Sequence, residues 1–252
     1  MVYFQLTTGR FLTVYLAQGV ILVAFLYLAI KILRRDRKRL NVIFAGLYIS
    51  PAIGVLINFI YAPLTDISFE SIVLILNFFT NFGFFYAPIF VVVFDLMLLK
   101  SEKVISTSKQ LVILIIYGIA MFGMIFFLFI PGYGVTINQG TGQLESPVWS
   151  LPFFIYVVSI ETVGALIPTL YFSFQIYKKF EDEVLKKKWR SFIFGFVALM
   201  TFMYAIFISN TFSDPTTPNG ATFRLVIGVI GLILAILGGF LMYSGVGKQI
   251  EK

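Results

Sequence analysis

The 252-residue chain contains no cysteine and no histidine. The first absence excludes a disulfide framework, a thiolate nucleophile and a cysteine-based metal site. The second removes the commonest general base, the usual zinc ligand and the usual pH switch. Charge is scarce too: Asp, Glu, Lys and Arg make up 12% of the residues, against roughly 25% in an ordinary soluble domain. So few polar side chains cannot cover a water-soluble core, and lipid must solvate the excess apolar surface.

What is present is apolar. Hydrophobic residues make up 59% of the chain and mean hydropathy is +0.95. Seven runs approach or exceed the length of about 20 residues that crosses a bilayer core: Phe11–Leu33, Val42–Leu64, Ile72–Leu99, Leu111–Ile130, Trp149–Ile176, Ser191–Ser209 and Leu225–Tyr243. The connections are too short to fold as soluble domains. The expectation is a single all-α domain over residues 1–252, a polytopic membrane protein built as a seven-transmembrane-helix bundle. Residues Met1 to Arg10 lack the basic cluster of a signal peptide, so the first run is read as a retained span.

The net charge of +7 does not point to nucleic acid, because its distribution is that of a membrane protein. Lys31, Arg34, Arg35, Arg37, Lys38 and Arg39 lie at the first turn, Lys100, Lys103 and Lys109 at the third, and Lys178, Lys179, Lys186, Lys187, Lys188 and Arg190 at the fifth. Lys248 and Lys252 follow the last run, whereas Arg10, Arg224, Asp66, Glu70, Glu145 and Asp214 fall on the opposite side. Cytoplasmic loops are enriched in Lys and Arg, which places the amino terminus outside and the carboxyl terminus inside. The cell membrane of a prokaryote is the expected location.

A carboxylate at mid-bilayer costs about 2.5–3.5 kcal/mol on insertion scales, so each intramembrane acid calls for a partner or a purpose. Glu161 lies about 18 Å along its helix from Trp149, near the centre. No Lys or Arg lies in any run at that depth, so Glu161 is expected to carry its proton and donate a hydrogen bond. Asn77, Thr80 and Asn81 on the third run, Gln18 on the first, Asn58 on the second and Tyr204 on the sixth are the candidate partners. Together they make either a ligand or proton pocket in the outer half or a network that glues helices. Asp95, about 6 Å from the inner end of the third run, can reach Arg34, Arg35 or Lys100, either as a structural salt bridge or as a latch that breaks on activation.

Phe180, Val184, Leu185 and Trp189 recur at helical spacing in the basic connection Tyr177–Arg190. They read as an interfacial helix end with Trp189 as a headgroup anchor, or as a docking surface for a cytoplasmic signalling partner. Gly228, Gly231, Ala235 and Gly239, with Gly238 nearby, form a small-residue face for close helix packing. Pro51, Pro88 and Pro168 fall inside runs two, three and five and should kink them. The loops Pro131–Val148 and Asn210–Thr222 read as exposed turns or short hairpins, linkers in one reading and a lid in the other. The sequences around the first and fifth turns run loosely parallel, as in a three-plus-one-plus-three repeat.

Seven spans invite comparison with known families, and specific residues decide it. The last run has no lysine for a retinal Schiff base, unlike microbial rhodopsins. Phe94-Asp95-Leu96-Met97 lacks the arginine of the class A receptor motif, and ceramidase-like hydrolases need histidines absent here. The basic turn LRRDRKRLN at Leu33–Asn41, followed by Val42-Ile43-Phe44-Ala45-Gly46, resembles the seven-helix sensory regions fused to prokaryotic histidine kinases and cyclases. That resemblance covers mainly the first two helices and lacks an output domain; it implies a sensor or receptor acting through a separate cytoplasmic protein, with a small-molecule ligand or physical cue. A small-solute or proton-coupled transporter and a structural or assembly subunit are the alternatives. An enzyme is not expected, nor is any cofactor or metal.

Overall fold

The computed structural model describes residues 11–35, 38–101, 103–139 and 142–247. Arg10, Asp36, Arg37, Lys248 and Lys252 lie outside that set, and with them part of the charge tally and of the Leu33–Asn41 motif. Among the described residues, seven helices are long and apolar enough to cross a membrane: α1 Val14–Arg35, α2 Arg39–Tyr61, α3 Ile67–Lys100, α4 Thr107–Phe129, α5 Leu151–Lys179, α6 Glu183–Phe212 and α7 Pro218–Val246. This is the architecture of a multi-pass membrane protein.

Several helices begin outside the apolar runs, at residues that satisfy the free backbone N–H groups of a first turn. Asp66, Ser106, Ser150, Asp182 and Thr217 each accept a hydrogen bond from an amide one turn or less ahead. Helix α6 therefore starts at Glu183, well before the apolar run at Ser191, and carries Lys186, Lys187, Lys188 and Arg190 on helical backbone. Helix α5 ends at Lys179, so α5 and α6 both extend into the basic connection.

Neighbouring helices in sequence pack side by side, and α1 closes against α7. Helix α3 touches α2, α4 and α5 and is the most enclosed of the seven, with 61% of its most apolar stretch buried against 22% for α4. Arg39 at the start of α2 donates to the Ile105 carbonyl at 2.5 Å and the Thr107 hydroxyl at 3.2 Å, so the first and third connections share one end of the bundle. We call it the basic end. At the other end, Leu144 of the fourth connection donates to the Thr65 carbonyl of the second at 2.7 Å.

Contacts between backbones hold the pairs together. A methyl on Gly83 would sit 2.9 Å from the Ser50 carbonyl oxygen, and one on Gly54 2.7 Å from that of Thr80. Ser50 and Thr80 donate across the same seam to the carbonyls of Gly83 and Gly54 at 2.6 and 3.1 Å. Gly195 of α6 and Gly238 of α7 make a second such approach: a methyl on either would lie within 2.7 Å of the other's carbonyl oxygen. Of the small residues expected to pack on α7, Gly231 meets Phe202, Ala235 is fully buried, and Gly239 accepts from the Tyr48 hydroxyl at 3.0 Å. Gly228 is a correction. A methyl there would meet nothing within 4 Å, because this turn lies off the α6 seam.

The three prolines differ in effect. Helices α2 and α3 continue through Pro51 and Pro88. In α5 the turn before Pro168, Thr162–Leu166, is a π-helix. Proline supplies no N–H for the Gly164 carbonyl and its ring crowds that group, and a wider turn accommodates both. The Ile167 amide accordingly bonds to Thr162, five residues back.

The fourth connection folds into a hairpin, β1 Val135–Ile137 antiparallel to β2 Pro147–Trp149. Trp149 thus belongs to β2, and helix α5 starts at Leu151. Ile137 and Leu144 pack on Tyr61 and Val73, and the Trp149 ring packs against Phe85, Phe153 and Phe207. The hairpin is a plug seated on the bundle end. Arg224, assigned by the sequence to the side opposite the basic turns, is half-buried and fastens it: its guanidinium donates to the carbonyls of Pro147 at 2.9 Å and Ser213 at 2.8 Å. A cation there also suits the carbonyl-rich carboxyl end of α6.

Candidate functional site

Glu161 closes the first α-helical segment of α5, at the edge of the π-turn. It is 0% exposed, and among the described residues neither carboxyl oxygen has a hydrogen-bond partner. The phenols within electrostatic reach are Tyr117 of α4 and Tyr204 of α6. Both hydroxyls are otherwise engaged, Tyr117 donating to the Phe85 carbonyl at 2.9 Å and Tyr204 paired with the Thr162 hydroxyl at 2.7 Å. The expected role of Glu161 as a hydrogen-bond donor thus has no acceptor among the described residues.

The other expected pocket residues do not converge on it. Asn77 donates to the Tyr61 hydroxyl and Asn81 to Asn77, both at 2.9 Å, which joins α3 to α2. Thr80 serves the α2–α3 seam described above, and Asn58 donates to Gln18 at 2.5 Å between α2 and α1. Tyr204 alone lies near Glu161. The polar groups therefore form separate ties between helix pairs. A match in depth along the bundle left their directions around each helix axis undetermined, and Asn77 and Asn81 point toward α2.

A second buried acid lies nearer the basic end. Asp95 of α3 is 0% exposed and accepts at 2.5 Å from the Ser173 hydroxyl of α5; its other oxygen has no partner. The Ser173 carbonyl in turn accepts from the Trp189 indole of α6 at 2.8 Å, so this junction ties three helices. The expected pairing of Asp95 with Arg34 or Arg35 is not formed. Asp95 points into the bundle, whereas Arg34 is exposed and Arg35 turns to α7, where it donates to the Tyr243 hydroxyl.

Ser173 and Thr169 were missed in the sequence, although a signal was there. Glu161, Ala165, Thr169 and Ser173 recur every four residues and all are essentially fully buried. In a straight α-helix a four-residue step drifts by about 40° around the axis; the wide turn after Glu161 offsets part of that drift and keeps the stripe facing inward. The Thr169 hydroxyl also lacks a partner. Helix α5 thus presents an internal polar stripe running from Glu161 to the Asp95 junction.

The expected docking surface is largely used up by packing. Trp189 is 3% exposed, stacked on Phe192 and touched edge-on by Phe180. Leu185 is half-buried, and of the four residues only Val184 is well exposed. Trp189 is an internal anchor, held by its bond to Ser173. A cavity of about 30 Å³ lies elsewhere, among Pro51, Phe84, Pro88, Met200 and Met203, with a wholly apolar lining. Among the described residues no group of three or more Asp and Glu is placed to hold a metal ion.

No protein-family model matches this chain, and no curated protein matches it. The functional reading therefore rests on the residues themselves.

Proposed function

We propose that the protein is a receptor-like sensor of the cell membrane, with the hairpin end outside and the basic end in the cytoplasm, in which α5 is the moving element. The observation that carries this reading is Glu161: a fully buried carboxyl without a hydrogen-bond partner, set at a π-turn. Single π-turns often mark functional positions in helices, and an unpartnered buried carboxyl raises the energy of the arrangement that holds it, which narrows its gap to an alternative. A cue acting near the outer half shifts the balance only if it favours one of two arrangements by differential binding. The stripe from Glu161 to Ser173 links such a shift to Asp95 on α3 and Trp189 on α6, and so to the basic connections that would meet a cytoplasmic partner.

One observation favours the second reading, a proton-coupled transporter. The atoms without partners on Glu161, Thr169 and Asp95 follow one another toward the basic end, the placement expected of groups that pass a proton.

The test uses the full chain in proteoliposomes, with spin labels at the exposed positions Val104 and Val184 near the basic end. The sensor reading expects Glu161→Gln and Glu161→Ala to redistribute the Val104–Val184 distances, with no proton leak above that of empty vesicles. Unchanged distances in both variants overturn it. Proton flux that Glu161→Gln abolishes replaces it with the transporter.

A further inference from the structure

At the basic end of the α1–α7 seam, Tyr27, Lys31 and Arg35 follow at four-residue steps on α1, facing Tyr243 of α7. The Lys31 ammonium lies 5.2 Å from the centre of the Tyr243 ring and 5.4 Å from that of Tyr27, whose hydroxyl it meets at 3.3 Å. The Arg35 guanidinium lies 5.0 Å from the same Tyr243 ring and donates to its hydroxyl. Two cations are thus gathered on one buried ring. Attraction to the electron-rich faces offsets their mutual repulsion and fixes their positions. Lys31 is exposed, and among the described residues the groups acting on it are the phenols of Tyr27 and Tyr243.

Below this pair the surface of the seam changes character. Val23, Tyr27 and Ile30 of α1 and Leu237 and Phe240 of α7 are exposed apolar side chains. Fixed cations at the end of an apolar face match one kind of molecule, with an anionic head and hydrocarbon tails. We infer that the α1–α7 seam binds the phosphodiester headgroup of an anionic membrane lipid, held by Lys31 beside the Arg35–Tyr243 pair, with its acyl chains along the exposed faces of both helices. Bilayer phosphates lie at the depth where a spanning helix ends, and basic pockets between such helices select anionic headgroups. The inference rests on the helices spanning a bilayer and does not depend on the sensor role.

Native mass spectrometry of the detergent-solubilised full chain, titrated with phosphatidylglycerol or phosphatidylcholine, tests it. Phosphatidylglycerol should be retained preferentially. Lys31→Gln should weaken that preference about fivefold, the effect of one basic residue near an anionic surface, and Lys31→Arg should restore it. Because Lys31 is exposed, both variants should keep the wild-type melting temperature without lipid. Equal retention of the two lipids, or a Lys31→Gln variant that selects as the wild type does, overturns the inference. Free glycerol phosphate that displaces phosphatidylglycerol at equal concentration also overturns it, and assigns the cations to a soluble phosphate ester.

Discussion

The Ser173 hydroxyl of α5 donates a 2.5 Å hydrogen bond to Asp95 of α3, and the carbonyl of the same serine accepts from Trp189 of α6. One small residue therefore satisfies two helices at once, and the consequences of changing it can be separated. Ser173→Ala leaves Asp95 buried with no partner on either oxygen, and losing a hydrogen bond to such a group costs about 1.5–3 kcal/mol. Asp95→Leu placed on top of Ser173→Ala removes the stranded acid and should recover much of that loss. Reversible unfolding of the single and double variants in detergent measures the coupling; additive losses would count against it.

Trp189→Phe keeps the aromatic stack on Phe192 and removes the indole donor to Ser173. The expected cost is about 1 kcal/mol, the ordinary worth of a neutral hydrogen bond. The same residue reports its own environment. In a Trp149→Phe background, Trp189 should emit at short wavelength and resist quenching by aqueous acrylamide, whereas an interfacial anchor would be quenched readily.

Gly195→Ala and Gly238→Ala each drive a methyl to within 2.7 Å of a carbonyl oxygen across the α6–α7 seam. Overpacking of this kind costs about 1–3 kcal/mol. Gly228→Ala meets open space and should hold or raise stability, since alanine favours helix over glycine by about 1 kcal/mol. Thermal denaturation of the three variants side by side reads the contrast.

Two exposed acids give the hairpin end a predictable response to pH. The Ser68 hydroxyl and amide hold the Asp66 carboxyl below its usual range, and Thr216 does the same for Asp214. A carboxyl held low in the folded state contributes its stabilisation above the unfolded value, near pH 4, and loses it as pH falls through the folded value. Hydrogen-exchange protection of the Ser68 and Thr216 amides should therefore drop on acidification below about pH 4. Asp66→Asn, which still accepts but does not titrate, should abolish the drop at Ser68 and leave it at Thr216.

How much of this was legible in the sequence follows from which features are local. The seven helices are set by the length of apolar runs, and their beginnings by capping residues such as Asp182 and Thr217, whose side chains bond amides a few positions ahead. The grouping of Lys and Arg at alternate connections is equally one-dimensional, and Arg39 touching Ile105 and Thr107 agrees with it. The stripe at Glu161, Ala165, Thr169 and Ser173 was also readable as a spacing, although its meaning was not.

The rest depended on direction around each helix and on which neighbour came to face it. Depth suggested that Glu161 and Asn81 meet; packing turned Asn81 toward Asn77 and the α2 side, and Glu161 toward Tyr117 and Tyr204. Proximity in sequence to a basic end suggested arginine for Asp95, and the tertiary structure gave it Ser173. Run lengths, caps and charge bias act along the chain, so the sequence by itself determined the seven helices and their alternation. The partners of the buried acids, the Gly195–Gly238 seam and the seating of the hairpin arise from close packing between helices distant in sequence, and only the tertiary structure decided them.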